Sequence, residues 1–304
     1  MMELKGKIPV EVTKLISDLT GVSPDTTRVY KVFAKIFWGF VDKSPQDVTV
    51  EDVTNFLNWG EKKRGWSLTT IKYYAGLSQR FLAEFKDENF IKELKKVIRR
   101  LPKKRTHESL YEGNYIPGDR IDDFINTAEN EEYAVLYTMI LKWGLRISEA
   151  LNQRIEELNP KALKVIVRGK GQGSEHKVRN VWVDFPSIQR VLAFAGCTSQ
   201  EISGSQPIRK RGKIIQHLNE RTVQNEWKRT AKKIGLRNWK KLTPHDGRHS
   251  YAIDFLIRRK KEGMAALVLL KNQLGHTNIN TTMIYLDIAG TEAREIFDAG
   301  LTQP

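Results

Sequence analysis

The sequence predicts a mainly α-helical (α+β) protein of two domains, the second carrying a small antiparallel sheet. Three observations predict it. Apolar residues recur at helical spacing through most of the first hundred positions. In the second half, two β-rich runs at 163–168 and 178–185 flank a Gly-rich polar turn, which is a hairpin signature. Between the two halves, "PKKRTHESLYEGNYIPGDR" mixes Pro, Gly and charge with no apolar period and reads as a linker or strap. A chain of 304 residues is long enough for two cores. The expected boundaries are a helical domain over 1–104, a linker over 105–116 and a second domain over 117–304.

In chain order, "SPDTTRVYKVFAKIFWGFV" opens with Ser, Asp and Thr as capping chemistry, then sets Tyr30, Phe33, Ile36, Phe37 and Phe40 on one side. "TVEDVTNFLNWGEKKR" repeats the plan, with Thr49 as N-cap, Asp52 at the third helical position, and Val53, Phe56 and Leu57 facing inward. "SLTTIKYYAGLSQRFLAEF" is a third helix with Ile71, Tyr74, Leu77 and Phe81 as its stripe. "NFIKELKKVIRRL" is a fourth, basic on its outer side. These aromatic stripes are read as core rather than as a ligand box. The second domain opens with helices in "GDRIDDFINTA" and "EEYAVLYTMILKWG". After the hairpin, helices resume at "PSIQRVLAFAG" and "NERTVQNEWKRTAKKIG". The last of these puts Val223, Trp227, Ala231 and Ile234 on one face and Lys and Arg on the other.

Charge narrows the partner. There are 51 Lys and Arg against 36 Asp and Glu, a net charge of +15 and a pI near 9.7, so a polyanion is expected, nucleic acid first. Three basic clusters carry much of it: Arg209, Lys210 and Arg211 in "RKRGK"; Lys228, Arg229, Lys232 and Lys233 in "KRTAKK"; and Lys240 in "RNWKK". They read either as a solvated face or as a phosphate-facing surface. The charge excess and the interleaved Trp227 and Trp239 favour the second, which makes these residues the DNA-binding candidates. Cys197 is the only cysteine, so no intramolecular disulfide is possible, in keeping with a reducing interior. "MMELKGKIPVEV" lacks the apolar core of a signal peptide, and the run around "YAVLYTMILKWGL" is too short and interrupted to span a membrane. The expectation is a cytoplasmic protein with no membrane partner. No Walker-type glycine loop and no Cys/His set at zinc spacing is present, so neither a metal nor a cofactor is expected.

The chemistry-bearing residues lie in the second domain. Arg146 in "GLRISEAL" sits between Leu145 and Ile147, where burying its charge requires a partner such as Glu149. Lys170 stands between two glycines in the hairpin turn, free to project. His245 and Arg248 lie three apart in "LTPHDGRHSYAIDFL", where a polar helix start runs into an apolar stretch. "QLGHTNINTTMIYL" gives His276 after a helix-ending Gly275 and, nine residues later, Tyr285, on a short helix that Asn280 or Thr281 would cap. Each signal is weak alone. In this order and spacing they resemble the catalytic domain of the tyrosine recombinases, the phage-integrase and Xer family. The first domain is similar by pattern to that family's helical, SAM-like core-binding module, in "VTVEDVTNFL" and "SLTTIKYYAGLSQRFL". The hairpin turn "GKGQGSEHK" is longer than the family's compact one, which leaves Lys177 as an alternative to Lys170.

The resemblance implies site-specific recombination of double-stranded DNA through a 3′-phosphotyrosyl intermediate, with no metal and no ATP. Tyr285 would be the nucleophile. Free tyrosine has a pKa of about 10, so a proton acceptor is needed, and the resemblance supplies His245. Arg146, Arg248 and His276 would give hydrogen bonds to the phosphoryl oxygens. Lys170 would protonate the departing 5′ oxygen. His249 is read as structural. The family assembles as tetramers on two DNA sites, with weak or no association off DNA, and the apolar stripe Ala293, Ile296, Phe297 and Leu301 would dock either on a neighbour or on its own domain. The alternatives are DNA relaxation in the manner of a type IB topoisomerase and a DNA-binding regulator that does not cleave.

Overall fold

The computed structural model describes residues 6–102, 114–169 and 178–290. The chain divides into two compact units, Met1–Arg105 and Thr106–Pro304.

The first unit is five helices: α1 (Val10–Asp18), α2 (Pro24–Val41), α3 (Val50–Arg64), α4 (Leu68–Leu82) and α5 (Glu88–Arg100). Their starts follow from local chemistry. Ser23 accepts the Thr26 N–H, Ser67 that of Thr70, and Asp87 that of Phe90. Thr49 and Asp52 form a reciprocal capping box, with the Thr49 N–H donating to Asp52 Oδ2 at 2.8 Å and the Asp52 N–H to Thr49 Oγ1 at 3.1 Å. The stripes read from the sequence face one core. Tyr30, Phe33, Phe37, Val53, Phe56, Leu57, Ile71, Leu77 and Phe81 are buried, while Ile36, Phe40 and Tyr74 pack at its margin. Helix α1 was not anticipated. It is short, but Val12, Leu15, Ile16 and Leu19 stand at helical spacing and turn toward the core, so its signal was present in the sequence.

The second unit is helical around a three-stranded antiparallel sheet of order β1-β2-β3: β1 (Leu158–Asn159), β2 (Lys164–Arg168) and β3 (Val178–Trp182). The expected hairpin is β2 and β3, paired from Lys164 with Trp182 to Arg168 with Val178. Two of its ends differ from expectation. Leu163 has φ 49° and belongs to the turn from β1, so β2 starts one residue later. Asp184 caps the next helix by accepting the Ser187 N–H, which ends β3 early. The two-residue β1 carries no readable pattern in the sequence.

Around the sheet lie α6 (Ile121–Asn126), α7 (Glu131–Leu141), α8 (Ile147–Asn152), α9 (Phe185–Phe194), α10 (Ser199–Ile202) and α11 (Glu220–Lys233). They are followed by α12 (Pro244–Arg258), α13 (Met264–Leu274) and α14 (Asn280–Ala289). Helix α7 is buried from Tyr133 to its end at Leu141, and α12 packs on both α7 and α14. One core gathers α7, the sheet, α9 and α11. A second gathers α12, α13 and α14 around Leu256, Leu267, Leu270 and Tyr285. Ile116 is fully buried in the first of these, and its N–H donates to Ser250 Oγ on α12 at 2.7 Å. Among the described residues, no helix is long and apolar enough to cross a membrane.

Candidate active site

Arg146 is placed by the turn between α7 and α8. Gly144 makes that turn with φ +69°, a left-handed conformation that suits glycine. Arg146 then occupies the N-cap of α8, its N–H donating to Glu149 Oε2 at 2.9 Å and its Nη1 to Glu149 Oε1 at 2.8 Å. The ion pair expected for a charge between Leu145 and Ile147 is therefore present, and 40% of the Arg146 side chain stays exposed.

Glu149 is the hub. Its side chain is only 2% exposed, and three guanidiniums converge on it. Besides Arg146, Arg179 on β3 makes two parallel bonds of 2.9 and 2.8 Å, and Arg248 Nη1 lies 3.6 Å away. Burial alone raises a carboxyl pKa. Here the Arg179 bonds and charge, the Arg146 N–H and the Arg248 charge outweigh it and pull Glu149 down to about 2. Three cations sharing one anion leave a surplus of positive charge, which suits a phosphodiester.

Arg248 is buried on α12, 1% exposed. Its Nη1 donates to the Gly144 carbonyl at 2.7 Å and its Nη2 to the Leu274 carbonyl, with His276 Nε2 3.4 Å from Nη2. Burial, then the Arg146 charge, lower its pKa to about 9. His276 follows Gly275, which ends α13 in the left-handed conformation (φ +67°) while the His276 N–H closes the helix on the Lys271 carbonyl. Its Nδ1 is 2.9 Å from Thr282 Oγ1 on α14, and Thr282 is fully buried. Burial, then Arg248, Arg146, Arg179 and His245, push His276 down to about 4.

His245 stands in the first turn of α12, next to the Thr243–Asp246 cap, with much of its surface exposed. The desolvation its ring does suffer, then the Arg248 charge, lower its pKa. Tyr285 on α14 is 2% exposed, and its hydroxyl is 2.7 Å from Nδ1 of His249. His249 in turn meets the His245 ring edge-on, centroids 4.5 Å apart.

The structure thus brings Arg146, His245, Arg248, His276 and Tyr285 into one cluster through their shared contacts with Glu149, His249 and Thr282. Lys170 and Lys177 lie outside the described residues, as do Ala293, Ile296, Phe297 and Leu301. The start of α14 differs from expectation. Asn280 and Thr281 are already in its first turn, so neither caps it, and the Asn280 N–H donates to Asn278 Oδ1 at 2.9 Å instead. Sequence reasoning did not single out Arg179, Thr282 or the pairing of His249. Arg179 lies on a strand 30 positions from Glu149, so no local spacing links them. His249 had a signal, since four residues after His245 it shares that residue's helix face.

The DNA-binding candidates lie at the surface. Arg209, Lys210, Arg211, Arg229, Lys232, Lys233 and Lys240 are exposed and Lys228 is half-buried. Lys232 and Lys240 hold their ammonium groups over the Trp239 ring at 5.2 and 5.5 Å. Arg229 and Lys233 lean on the buried Glu226 at 3.4 and 3.9 Å. Lys210 Nζ donates to the Ala195 carbonyl and Arg211 Nη1 to that of Ile208.

Comparison with known proteins follows the same division. Residues 114–292 match the model of the phage integrase family, and residues 13–92 match that of the phage integrase N-terminal SAM-like domain. Tyrosine recombinase XerA of Pyrococcus horikoshii is 27% identical over 281 residues, which is 92% of this chain and 89% of the relative. Tyrosine recombinase XerC of Thermodesulfovibrio yellowstonii is 26% identical over 290 residues, covering 91% and 90%. Among solved structures, the Tn1549 transposon integrase in complex with transposon right end DNA superposes with a TM-score of 0.69. It is 16% identical and covers 99% of this chain and 100% of the other. XerH site-specific recombinase bound to palindromic difH substrate, a post-cleavage complex, gives 0.63 at 19% identity, covering 96% and 84%. At these identities the two structures speak for the fold.

Proposed function

The chain belongs to the phage integrase family, and from that premise we propose that it is a tyrosine recombinase that cuts and rejoins double-stranded DNA at specific sites through a 3′-phosphotyrosyl ester on Tyr285. The observation that carries this reading is the joining of α14 to the cationic cluster. Thr282 is bonded to His276, which lies against Arg248, and one turn later the Tyr285 hydroxyl meets His249 on the same helix as Arg248.

The roles proposed for the residues are these. Arg146 and Arg248 stabilise the extra negative charge of the pentacoordinate phosphorus, and His276 adds a third donor once the phosphate raises its pKa from about 4. Glu149 and Arg179 position the two arginines. Lys170, in the segment joining β2 to β3, protonates the leaving 5′ oxygen. The exposed basic residues on and beside α11 hold the duplex backbone. Two DNA sites are brought together by four protomers through the residues after α14, and the protein works in the cytoplasm.

The test is Tyr285→Phe. The variant binds DNA as the parent does and forms no covalent adduct. An adduct from the variant removes Tyr285 from the mechanism. Mapping the adduct on host DNA also yields the site. Running supercoil relaxation beside two-site recombination separates this activity from that of a type IB topoisomerase.

A further inference from the structure

Among the described residues β3 is an edge strand of its sheet, so one row of its backbone groups has no strand to pair with. At Trp182 that row is met by a side chain. The Trp182 N–H donates to Gln273 Oε1 at 3.0 Å, and Gln273 Nε2 donates to the Trp182 carbonyl at 2.7 Å. The amide thus pairs with both backbone groups of one β3 residue, as a neighbouring strand would. Only one placement of its oxygen and nitrogen makes both bonds. Gln273 is 5% exposed and lies in the last turn of α13, three residues before His276.

We propose that Gln273 is a positioning residue for DNA cleavage: its amide fixes the end of α13 along β3, and so sets Arg248 and His276 against the scissile phosphate. The proposal rests on the reading of this cluster as the site of cleavage.

The clamp closes a ring. Arg179 lies three residues before Trp182 on β3. Its Nε donates to the Gln273 carbonyl at 3.0 Å, while its two Nη atoms hold Glu149. The next carbonyl along, that of Leu274, receives Arg248 Nη2. Gly275 then passes so close to Arg179 that a Cβ on it would stand 2.8 Å from Cδ of that arginine. His276 follows. Successive residues of one turn therefore anchor two guanidiniums and carry the imidazole, and a slide of that turn along β3 moves all three groups.

The rest of α13 resists such a slide less well. Its Leu267, Leu270 and Leu274 share a core with α12 and α14, whereas β3 belongs to the other core through Val181. Apolar burial is non-directional. The amide, by contrast, needs both partners at hydrogen-bond distance and angle. Gln273 is thus a directional link between two cores, placed where the site spans them. Misplacing a reacting group by about 1 Å costs on the order of a hundred-fold in rate.

The experiment uses the full chain and a synthetic duplex that carries the site mapped through the adduct. Gln273→Leu removes both bonds. Gln273→Glu has the same shape and keeps the acceptor for the Trp182 N–H, so it carries the test should the first variant fail to fold. At saturating duplex each should form the adduct roughly ten- to a hundred-fold more slowly, with DNA affinity unchanged. Because Gln273 acts through the donors beyond it, its penalty should be several-fold smaller in a His276→Ala background. On a duplex with a 5′-thio leaving group, which departs without a proton, the penalty should stay whole. Parent rates in both variants, a loss confined to DNA affinity, or a penalty that is undiminished beside His276→Ala would each overturn the proposal. Relief by the 5′-thio duplex would also overturn it, by assigning Gln273 to the proton donor instead. An adduct from Tyr285→Phe marks a different failure, that of the nucleophile assignment.

Discussion

Replacing the Glu149 carboxylate by its amide takes the one negative charge from among three guanidiniums. Arg179 and Arg248 are then left buried with their charges uncompensated. Breaking a buried pair in this way costs about 3–5 kcal/mol, so Glu149→Gln should unfold at clearly lower denaturant and lose adduct formation together with stability. Acid gives a second reading of the same residue. The folded pKa of Glu149, about 2, lies below the ordinary carboxylate value, so its stabilisation is complete above about pH 4.3 and drains away as pH falls toward 2. His276 and His249, held near 4 and 3, are also depressed, so they begin to destabilise the fold at higher pH, as it drops below about 6.5. Denaturation midpoints across this range should therefore fall in two stages, and Glu149→Gln should flatten only the lower one. A variant that keeps the full lower stage would show that Glu149 is not the group responsible. Glu149 was visible in the sequence only as a neighbour for Arg146. Its service to Arg179 and Arg248 arises from three segments meeting in space, which no spacing along the chain records.

At the scale of elements, the turn between α7 and α8 is the tightest constraint on the site. Gly144 holds φ +69°, its carbonyl receives Arg248 Nη1, and a Cβ placed on it would stand 2.5 Å from Cδ1 of Tyr251 on α12. An L-residue in that conformation costs roughly 1–2 kcal/mol, and forcing α12 aside adds about 1–3 kcal/mol. Gly144→Ala should lose the sum of these by chemical denaturation and slow adduct formation through Arg248. A loss under about 0.5 kcal/mol, within the range of neutral surface changes, would mean that the turn relaxes freely. Elements of this kind were legible where the cause is local. Thr49 with Asp52, and the stripe from Tyr30 to Phe37, lie within a few residues of one another, so the sequence alone shows them. The two-residue β1 was not legible, because it is defined by what it pairs with. The cluster of Arg146, His245, Arg248, His276 and Tyr285 was anticipated through resemblance, with its supporting shell of Arg179, Thr282 and His249 supplied by the fold.

Over the whole molecule, the positive charge is shared rather than concentrated. Residues 1–105 carry 21 Lys and Arg against 13 Asp and Glu, and the rest of the chain 30 against 23, so the net +15 divides into +8 and +7. If affinity for duplex DNA comes from phosphate contacts, each unit should contribute its own part of the salt dependence, about 0.9 in the log–log slope for each phosphate neutralised. Two sets of neutralising substitutions test this in the full chain. On α11, Lys228, Arg229, Lys232 and Lys233 include two side chains partly engaged by Glu226, so their removal should flatten the slope by about 2 to 4. On α5, Lys95, Arg99 and Arg100 are all exposed, and their removal should flatten it by up to about 3. Because the sets lie in separate units with separate cores, the two reductions should add in the combined variant. A slope that responds to α11 alone would confine the DNA-holding surface to the second unit and leave the charge of the first facing solvent. A slope that responds to neither would mean that the excess charge serves solubility, and the phosphate contacts would then have to come from the arginine cluster around Glu149.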